Sequence, residues 1–243
     1  MKQSLYSAPN EEYKRHIELC LEKFELVFPL FSVTLKRVLS ISDEKLLKEG
    51  LTKMVKYHDL GKLTKRWQEN VGTGKSLPSH SNIGACYLWK ILPEGLKEPL
   101  SFAVIIHHTD RGLLGDNIER PDVQAIIEGI VNEKNGIINW HKAAKNLEGQ
   151  LFPEVAENMS VNDLKEMARG LRIWAKGCTL LEQHQRRLQA SLAHHILKLC
   201  DISAAIERKE YQKKDEQDYY GGWLMVEEIR DYVENISVRK EVI

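Results

Sequence analysis

The residues best suited to chemistry lie in one short run, Tyr-His-Asp-Leu-Gly-Lys at positions 57–62. An imidazole and a carboxylate are adjacent here, and a lysine follows within one helical turn. In a helix, His58, Asp59 and Lys62 would share roughly one face, because side chains three and four residues apart are neighbours. Such a face offers a nitrogen ligand, an oxygen ligand that can bridge two metals, and a cation for a phosphate.

Other potential metal ligands extend this pattern into two groups that share one carboxylate. The first group has two nitrogen and two oxygen donors: His16, His58, Asp59 and Asp201. The second adds three imidazoles around the shared aspartate: Asp59, His80, His107 and His108. Because a His-Asp pair alone arises easily by chance, the prediction of metal binding depends on the whole set. For Asp201 a structural salt bridge is the alternative, since a buried carboxylate needs a partner.

Helices must bring these distant residues together. Asn10, followed by two glutamates, predicts the start of a first helix that contains His16 and that Pro29 bends or ends. A second helical pattern runs roughly from Asp43 to Leu60, after which Gly61 allows a break or close packing. The two groups of ligands therefore depend on how the helices pack.

The remaining ligands also lie on or beside predicted helices. A helix from Asn82 to about Leu92 follows His80 in a His-Ser-Asn-Ile-Gly-Ala run. Periodicity leaves 100–106 open between a strand and a buried helix, and we predict a helix because no nearby segment could pair with it. A capping pair at Ser160 and Asp163 indicates a further helix start. A long helix over about 179–209 contains Asp201, and a closing helix is predicted over about 223–237. The predicted fold class is all-α.

Composition sets broad limits on function. The 243 residues are 42% hydrophobic and 29% charged, as in an ordinary soluble protein, and 35 lysines and arginines balance 35 aspartates and glutamates. Binding of a polyanion would therefore need a local patch or bound cations. No run approaches the roughly 18 apolar residues of a membrane span, so a soluble cytoplasmic protein without membrane contact is expected. The four cysteines have no CxxC spacing and are predicted to be reduced core thiols: Cys20, Cys86, Cys178 and Cys200.

The HDLGK run at 58–62 and the HSNIGA run at 80–85, together with His16, His107-His108 and Asp201, resemble a known family. The pattern is similar to the HD superfamily of metal-dependent phosphohydrolases. In particular, it resembles the CRISPR-associated HD nuclease of type I systems, the nuclease half of the signature helicase–nuclease. The matching residues extend from position 16 to position 201, and residues 113–180 match no known motif.

The resemblance implies a single HD domain over 1–243, with a metal-binding core at about 10–210, and a two-metal site. One metal would be held by His16, His58, Asp59 and Asp201, and the other by Asp59, His80, His107 and His108. Asp59 and Lys62 would be the catalytic residues, with Lys62 at the scissile phosphate. Imidazole-rich ligation favours manganese, iron, cobalt, nickel or zinc, whereas magnesium prefers oxygen ligands.

The function implied is cleavage of single-stranded DNA, or of RNA, as an endonuclease or exonuclease in antiviral defence. A separate helicase subunit and an RNA-guided CRISPR surveillance complex would be the partners. One alternative is an HD nucleotide phosphohydrolase acting on dNTPs, which would leave the second group unexplained. A cyclic-dinucleotide phosphodiesterase usually has a Gly-Tyr-Pro sequence after its paired histidines, and here Thr109 to Leu113 follows instead. The last alternative is a non-catalytic CRISPR docking subunit.

Three other features are given simpler predictions. The loop at 71–76 ends like a P-loop but has Glu69 where the pattern needs glycine, so it is not predicted to bind nucleotides. Lysines near the HD run and Trp67 are predicted to form a solvated face that could guide a single strand, with Trp67 stacking on a base. The remaining histidines are predicted to be structural, with His194 also a candidate partner for Asp201: His141, His184, His194 and His195.

Overall fold

The computed structural model describes residues 4–108, 130–132, 134–212 and 235. This part of the chain is predominantly helical, which confirms the predicted all-α class. Its α-helices are α1 (Tyr13–Leu39), α2 (Glu44–Tyr57), α3 (Lys65–Asn70), α4 (Ser81–Ile91), α5 (Lys97–Ile106), α6 (Glu154–Glu157), α7 (Val161–Lys176) and α8 (Leu180–Gln212). Shorter 3-10 helices span Leu60–Leu63 and Lys142–Asn146. None of the described helices is long and apolar enough to cross a membrane.

One core joins the long helices. Helix α1 packs along α8 and against α2, and α5 packs against both α4 and α8. The side chains between them are fully buried and include Ile17, Phe24, Leu51, Leu88, Leu100 and Leu197. Because these helices surround one interior, residues from distant parts of the sequence meet where their ends converge.

The first helix starts later and ends later than predicted. Asn10 is not a helix cap: it has φ 64° and forms the turn between β1 (Tyr6–Ala8) and β2 (Glu11–Glu12), a short antiparallel pair absent from the sequence analysis. Asparagine tolerates this left-handed conformation because its short polar side chain can hydrogen-bond locally. Pro29 lies inside α1 and does not end it, since the helix continues to Leu39.

Several predicted boundaries are confirmed. The carboxylate of Asp43 caps α2 by accepting hydrogen bonds from the Lys45 and Leu46 amides at 2.9 and 3.1 Å. The segment at 100–106 is helical, as part of α5. Ser160 and Asp163 form the predicted capping box at the start of α7. The predicted closing helix lies outside the described residues, apart from position 235, and the assignment of the whole chain to one domain stays a prediction.

The loop at 71–76 and the cysteines also have defined surroundings. The loop is an exposed turn after α3, and both Gly72 and Gly74 have φ 74°. A helix, not a strand, precedes it, as expected for a segment that is not a P-loop.

Three cysteines are buried as predicted, but Cys178 is exposed in the short connection between α7 and α8.

Candidate metal centre

The His-Asp pair lies at the end of α2. The α-helix stops at Tyr57, and Asp59 has φ −95° and ψ 11°, in the bridge region where many active-site residues are found. The Lys62 amide donates to the Asp59 carbonyl at 2.8 Å, and the Lys62 ammonium lies 2.7 Å from Asp59 Oδ2. The α-helix thus ends three residues before the predicted end near Leu60, and the start of the 3-10 helix, not an α-helical face, puts these two side chains together.

Two glycines hold this turn against the start of α4. A Cβ on Gly61 would lie 2.3 Å from the carbonyl oxygen of His80. A Cβ on Gly84 would lie 2.4 Å from the carbonyl oxygen of His58 and 2.5 Å from that of Tyr57. Two backbone segments can approach this closely only where side chains are missing. The close packing predicted at Gly61 is present. Gly61 in the first motif and Gly84 in the second each leave room for the backbone of the other motif.

The first group of potential ligands converges between α1, α2 and α8. His16 Nε2 lies 3.4 Å from Asp59 Oδ2 and 3.3 Å from Asp201 Oδ1. His58 Nε2 lies 3.5 and 3.7 Å from the same two oxygens. His16, His58 and Asp59 are buried, and Asp201 is partly exposed. All four residues of the first group therefore face one small volume.

The second group meets on the other oxygen of the shared aspartate. His80 Nε2 lies 3.0 Å and His107 Nε2 lies 3.7 Å from Asp59 Oδ1. His108 Nε2 lies 2.6 Å from His80 Nε2, and His108 is the exposed residue of this group. Asp59 thus has one oxygen toward each group, which is the arrangement that a bridging carboxylate requires.

Backbone carbonyls orient two of the imidazoles. His58 Nδ1 donates to the Val55 carbonyl at 2.7 Å, and His107 Nδ1 donates to the Val104 carbonyl. Each Nδ1 must then carry the proton, which leaves the lone pair of Nε2 facing the centre. Metal-binding histidines are commonly fixed in this way.

The centre fits divalent cations because its donor atoms have too few partners. His58 Nε2 and His107 Nε2 are fully buried without a hydrogen-bond partner, and neither Asp59 oxygen accepts a hydrogen bond of regular geometry. The Lys62 ammonium forms an ion pair with Asp59 Oδ2 at 2.7 Å, but the angle of this contact is not that of a regular hydrogen bond. Unpaired buried donors and acceptors are costly. The free lone pairs of His58 Nε2 and His107 Nε2 converge with the Asp59 carboxylate, which matches the needs of a metal ion.

The charges of the centre are strongly coupled. Burial alone would raise the pKa of Asp59, but His58 and Lys62 hold that pKa well below its usual range. Burial is likewise outweighed at Asp201, where the neighbouring His16 and His58 rings keep the pKa low. At His16, burial would lower the pKa, but the surrounding anionic groups raise it well above its ordinary value. Protons and the lysine thus balance the carboxylates, and a bound metal would displace such protons.

Two residues of the site were missed by the sequence analysis. Glu11 is buried, and its Oε1 accepts from His16 Nδ1 at 3.2 Å while its Oε2 accepts from the Ser7 hydroxyl at 2.6 Å. Cys20 Sγ lies 3.6 Å from His16 Nε2, on the same face of α1. The spacing of four residues between His16 and Cys20 was a usable signal. Glu11 gave none, because its orientation depends on the β-turn before α1.

The surroundings of the centre correct the prediction for Trp67. This indole is only 5% exposed and packs edge-on against His80, with the Lys62 ammonium 5.4 Å from its ring, so it does not offer a face for base stacking. Lys65 and Arg66 are exposed on the same helix. The basic residues near the HD run therefore remain a surface feature, whereas Trp67 supports the site from within.

The histidines predicted to be structural lie outside both ligand groups. His141 caps the 3-10 helix after it by accepting from the Ala143 amide at 3.2 Å, and the His195 ring packs edge-on against Phe31. His194 lies near the Ile106 carbonyl at the end of α5, and burial lowers its pKa to about 4. Its position thus supports the segment that leads into the second ligand group.

Comparisons with known proteins identify the fold. No protein-family model matches the sequence, and no curated protein matches it. Among solved structures, the CRISPR-associated Cas3 HD domain protein from Methanocaldococcus jannaschii matches with a TM-score of 0.55 and 16% sequence identity. The match covers 79% of this chain and 97% of that protein. The chain therefore has the fold of a CRISPR-associated HD domain.

Proposed function

We propose that this protein is a metal-dependent HD nuclease of a type I CRISPR interference system, hydrolysing phosphodiester bonds of single-stranded DNA. The observation that carries the proposal is the position of Asp59 between two groups of histidines, with one oxygen toward each. A site for one metal would not need the second group. The fold shared with a CRISPR-associated HD domain supports the proposed biological setting.

The residues of the centre have distinct roles in this proposal. The first metal would be held by His16, His58, Asp59 and Asp201, which face one another at 3.3–3.7 Å. The second would be held by Asp59, His80, His107 and His108. Two bound cations would supply an activated water and neutralise charge on the phosphodiester oxygens. Lys62, with its ammonium beside Asp59, would bind a non-bridging phosphate oxygen and keep the strand in place. The many imidazoles favour manganese, iron, cobalt, nickel or zinc over magnesium.

The depth of the centre supports a single strand as the substrate. Asp59 and His58 are fully buried, and His108 is the exposed member of the ligand set, so a phosphodiester would have to approach from the side of His108. A flexible single strand can place one phosphate there more readily than a rigid duplex. Unwinding by a separate helicase subunit, at a target opened by an RNA-guided complex, would supply that strand.

The isolated protein is expected to cut single-stranded DNA with manganese, cobalt or zinc, to leave intact duplex unchanged, and to be unaffected by ATP. The test incubates purified protein and one metal at a time with matched single-stranded DNA, single-stranded RNA, blunt duplex and dNTPs. Products are separated on denaturing gels and by anion exchange.

Each result of this assay has a defined meaning. Hydrolysis of dNTPs with single strands untouched would replace the nuclease proposal with the nucleotide phosphohydrolase alternative. Rapid cutting of blunt duplex would leave the nuclease in place and remove the need for a helicase. Metal binding without hydrolysis of any substrate would favour the non-catalytic docking subunit.

Lys62→Ala is expected to lower turnover on single-stranded DNA at least about tenfold, because one charged contact to the phosphate is worth about 1.5–3 kcal/mol. The metal content should stay near that of the unmodified protein, since lysine is not a ligand. Both quantities are measured on the same preparation, by elemental analysis and by initial rates.

Lys65→Ala is the matched control for that substitution. Lys65 lies three residues further on, is exposed, and pairs with Glu69 at 3.7 Å. It should leave the metal content unchanged and lower the rate far less than Lys62→Ala, because an exposed lysine makes at most a weak surface contact with the strand. A large loss of metal in Lys62→Ala would assign Lys62 to holding Asp59 in position and not to binding phosphate.

A further inference from the structure

Cys20 belongs to the same small volume as the first ligand group. It lies one turn after His16 on α1, and its Sγ is 3.6 Å from His16 Nε2. The side chain is fully buried. Its sulfur and the nearest donor atoms of His16, His58 and Asp201 all lie within 4.8 Å of one another. With Asp59 Oδ2, which lies 3.4 Å from His16 Nε2, these residues offer one volume two nitrogens, two oxygens and one sulfur.

A second, independent observation points to a ligand in this volume. His58 Nε2 is fully buried, has no hydrogen-bond partner, and faces Asp201 Oδ1 at 3.7 Å. Because His58 Nδ1 donates to the Val55 carbonyl, this nitrogen holds an unused lone pair. The lone pair of His58 Nε2 is therefore available to a metal ion, and the Cys20 sulfur lies beside the same volume.

Two of the separations between donor atoms are those expected of neighbouring ligands on one zinc ion. Typical zinc–sulfur and zinc–nitrogen bonds of about 2.3 and 2.0–2.1 Å imply a sulfur–nitrogen edge of about 3.5 Å in a tetrahedron. The observed distance from Cys20 Sγ to His16 Nε2 is 3.6 Å. The distance from His16 Nε2 to Asp201 Oδ1 is 3.3 Å, close to the edge of about 3.3 Å for two ligands of the shorter kind.

We propose that Cys20 binds the first metal as a thiolate, in addition to His16, His58, Asp59 and Asp201, and thereby selects zinc, cobalt or iron at this position. The thiol proton passes to solvent when the metal binds. The second position, with nitrogen and oxygen donors only, lacks this preference and accepts manganese as well. This inference rests on the metal binding of the proposed function.

The ordinary role for Cys20 is different and can be separated from this one. Its thiol could donate a weak hydrogen bond to His16 Nε2, which would use the lone pair that a metal needs. Thiolate ligation and that hydrogen bond exclude each other, because both depend on the same nitrogen and on the same sulfur proton.

The experiment replaces the native metal with cobalt(II) and records the absorption spectrum of the protein. A thiolate ligand produces a sulfur-to-cobalt charge-transfer band in the near ultraviolet, whereas histidine and carboxylate ligands give only the weaker visible bands. The unmodified protein is expected to show both, and Cys20→Ser to keep the visible bands but lose the charge-transfer band. The serine variant should also bind zinc at least about tenfold more weakly, with little change for manganese.

A triple variant provides the control for the other thiols. Replacing Cys86, Cys178 and Cys200 with serine leaves Cys20 as the only cysteine of the sequence. This variant should keep the charge-transfer band at full intensity. It decides the question even if Cys20→Ser folds poorly, which circular dichroism would detect.

Two negative results have separate meanings. Cobalt bound with visible bands but without the near-ultraviolet band, in the unmodified protein or in the triple variant, would overturn the role of Cys20 while the metal centre stands. Failure of the unmodified protein to bind cobalt, zinc or manganese would overturn the metal centre of the proposed function, and this inference with it.

Discussion

Asp59→Ala is expected to abolish DNA cleavage and to reduce bound metal at both positions. Asp59 has one carboxylate oxygen 3.4 Å from His16 Nε2 and the other 3.0 Å from His80 Nε2, so no other residue can replace it in both groups. Loss of the stabilisation from two cations costs several kcal/mol in the transition state, which is at least about a thousandfold in rate. The measurements are the metal-to-protein ratio and the rate on single-stranded DNA at saturating metal.

Two substitutions serve as comparisons for Asp59→Ala. Asp43→Ala removes a carboxylate that only caps α2, and should cost about 1 kcal/mol of stability with metal content unchanged. His107→Ala should chiefly empty the second position, because His107 Nε2 lies beside Asp59 Oδ1, the oxygen that faces the second group. If Asp59→Ala retained a substantial fraction of the activity at saturating metal, the bridged two-metal centre would be wrong.

Gly84→Ala is expected to disrupt the centre although Gly84 carries no ligand. The added methyl group would lie 2.4 and 2.5 Å from the carbonyl oxygens of His58 and Tyr57, and neither backbone segment can move without displacing the His-Asp pair. Such overpacking typically costs about 1–3 kcal/mol and sometimes more. The variant should melt at a lower temperature and bind metal more weakly. Calorimetry and elemental analysis measure the two effects.

Gly50→Ala is the matched control, since Gly50 is also a helical glycine in the interior. A Cβ there would meet the Leu96 side chain at 3.1 Å, and a side chain can shift where a backbone cannot. Alanine also favours a helix over glycine by about 0.5–1 kcal/mol, which offsets that contact. We expect little change in melting temperature or metal content. Equal effects of the two substitutions would show that the contact between the motifs does not position the ligands.

The resemblance in the sequence predicted the fold class and the family of folds correctly. Helical periodicity and caps such as Asp43 and the Ser160–Asp163 pair were sufficient for most helices, because these signals depend on neighbouring residues alone. The grouping of six potential ligands around Asp59 also came from the sequence, through residue types and order. The structure brings these side chains together in two groups, while their roles as ligands stay proposals.

Local reasoning failed where the chain departs from regular structure. The sequence predicted a helix to about Leu60 with a break or close packing at Gly61. The turn that joins Asp59 and Lys62 depends on Gly61 and Gly84 packing against the opposing backbone, which the sequence did not show. The tryptophan at position 67 looked suited to base stacking, and only its burial against His80 excluded that role. Such contacts link segments far apart in sequence, and periodicity contains no information about them.

The sequence by itself determined which chemistry is available, because imidazoles, carboxylates and a lysine in this order are a property of the residues. Only the tertiary structure decided which atoms share a volume: Cys20 and Glu11 joined His16 through the geometry of α1 and of the turn before it. The physical reason is that ligand distances of 3 to 4 Å are set by helix packing, and helix packing is a sum of many contacts across the core.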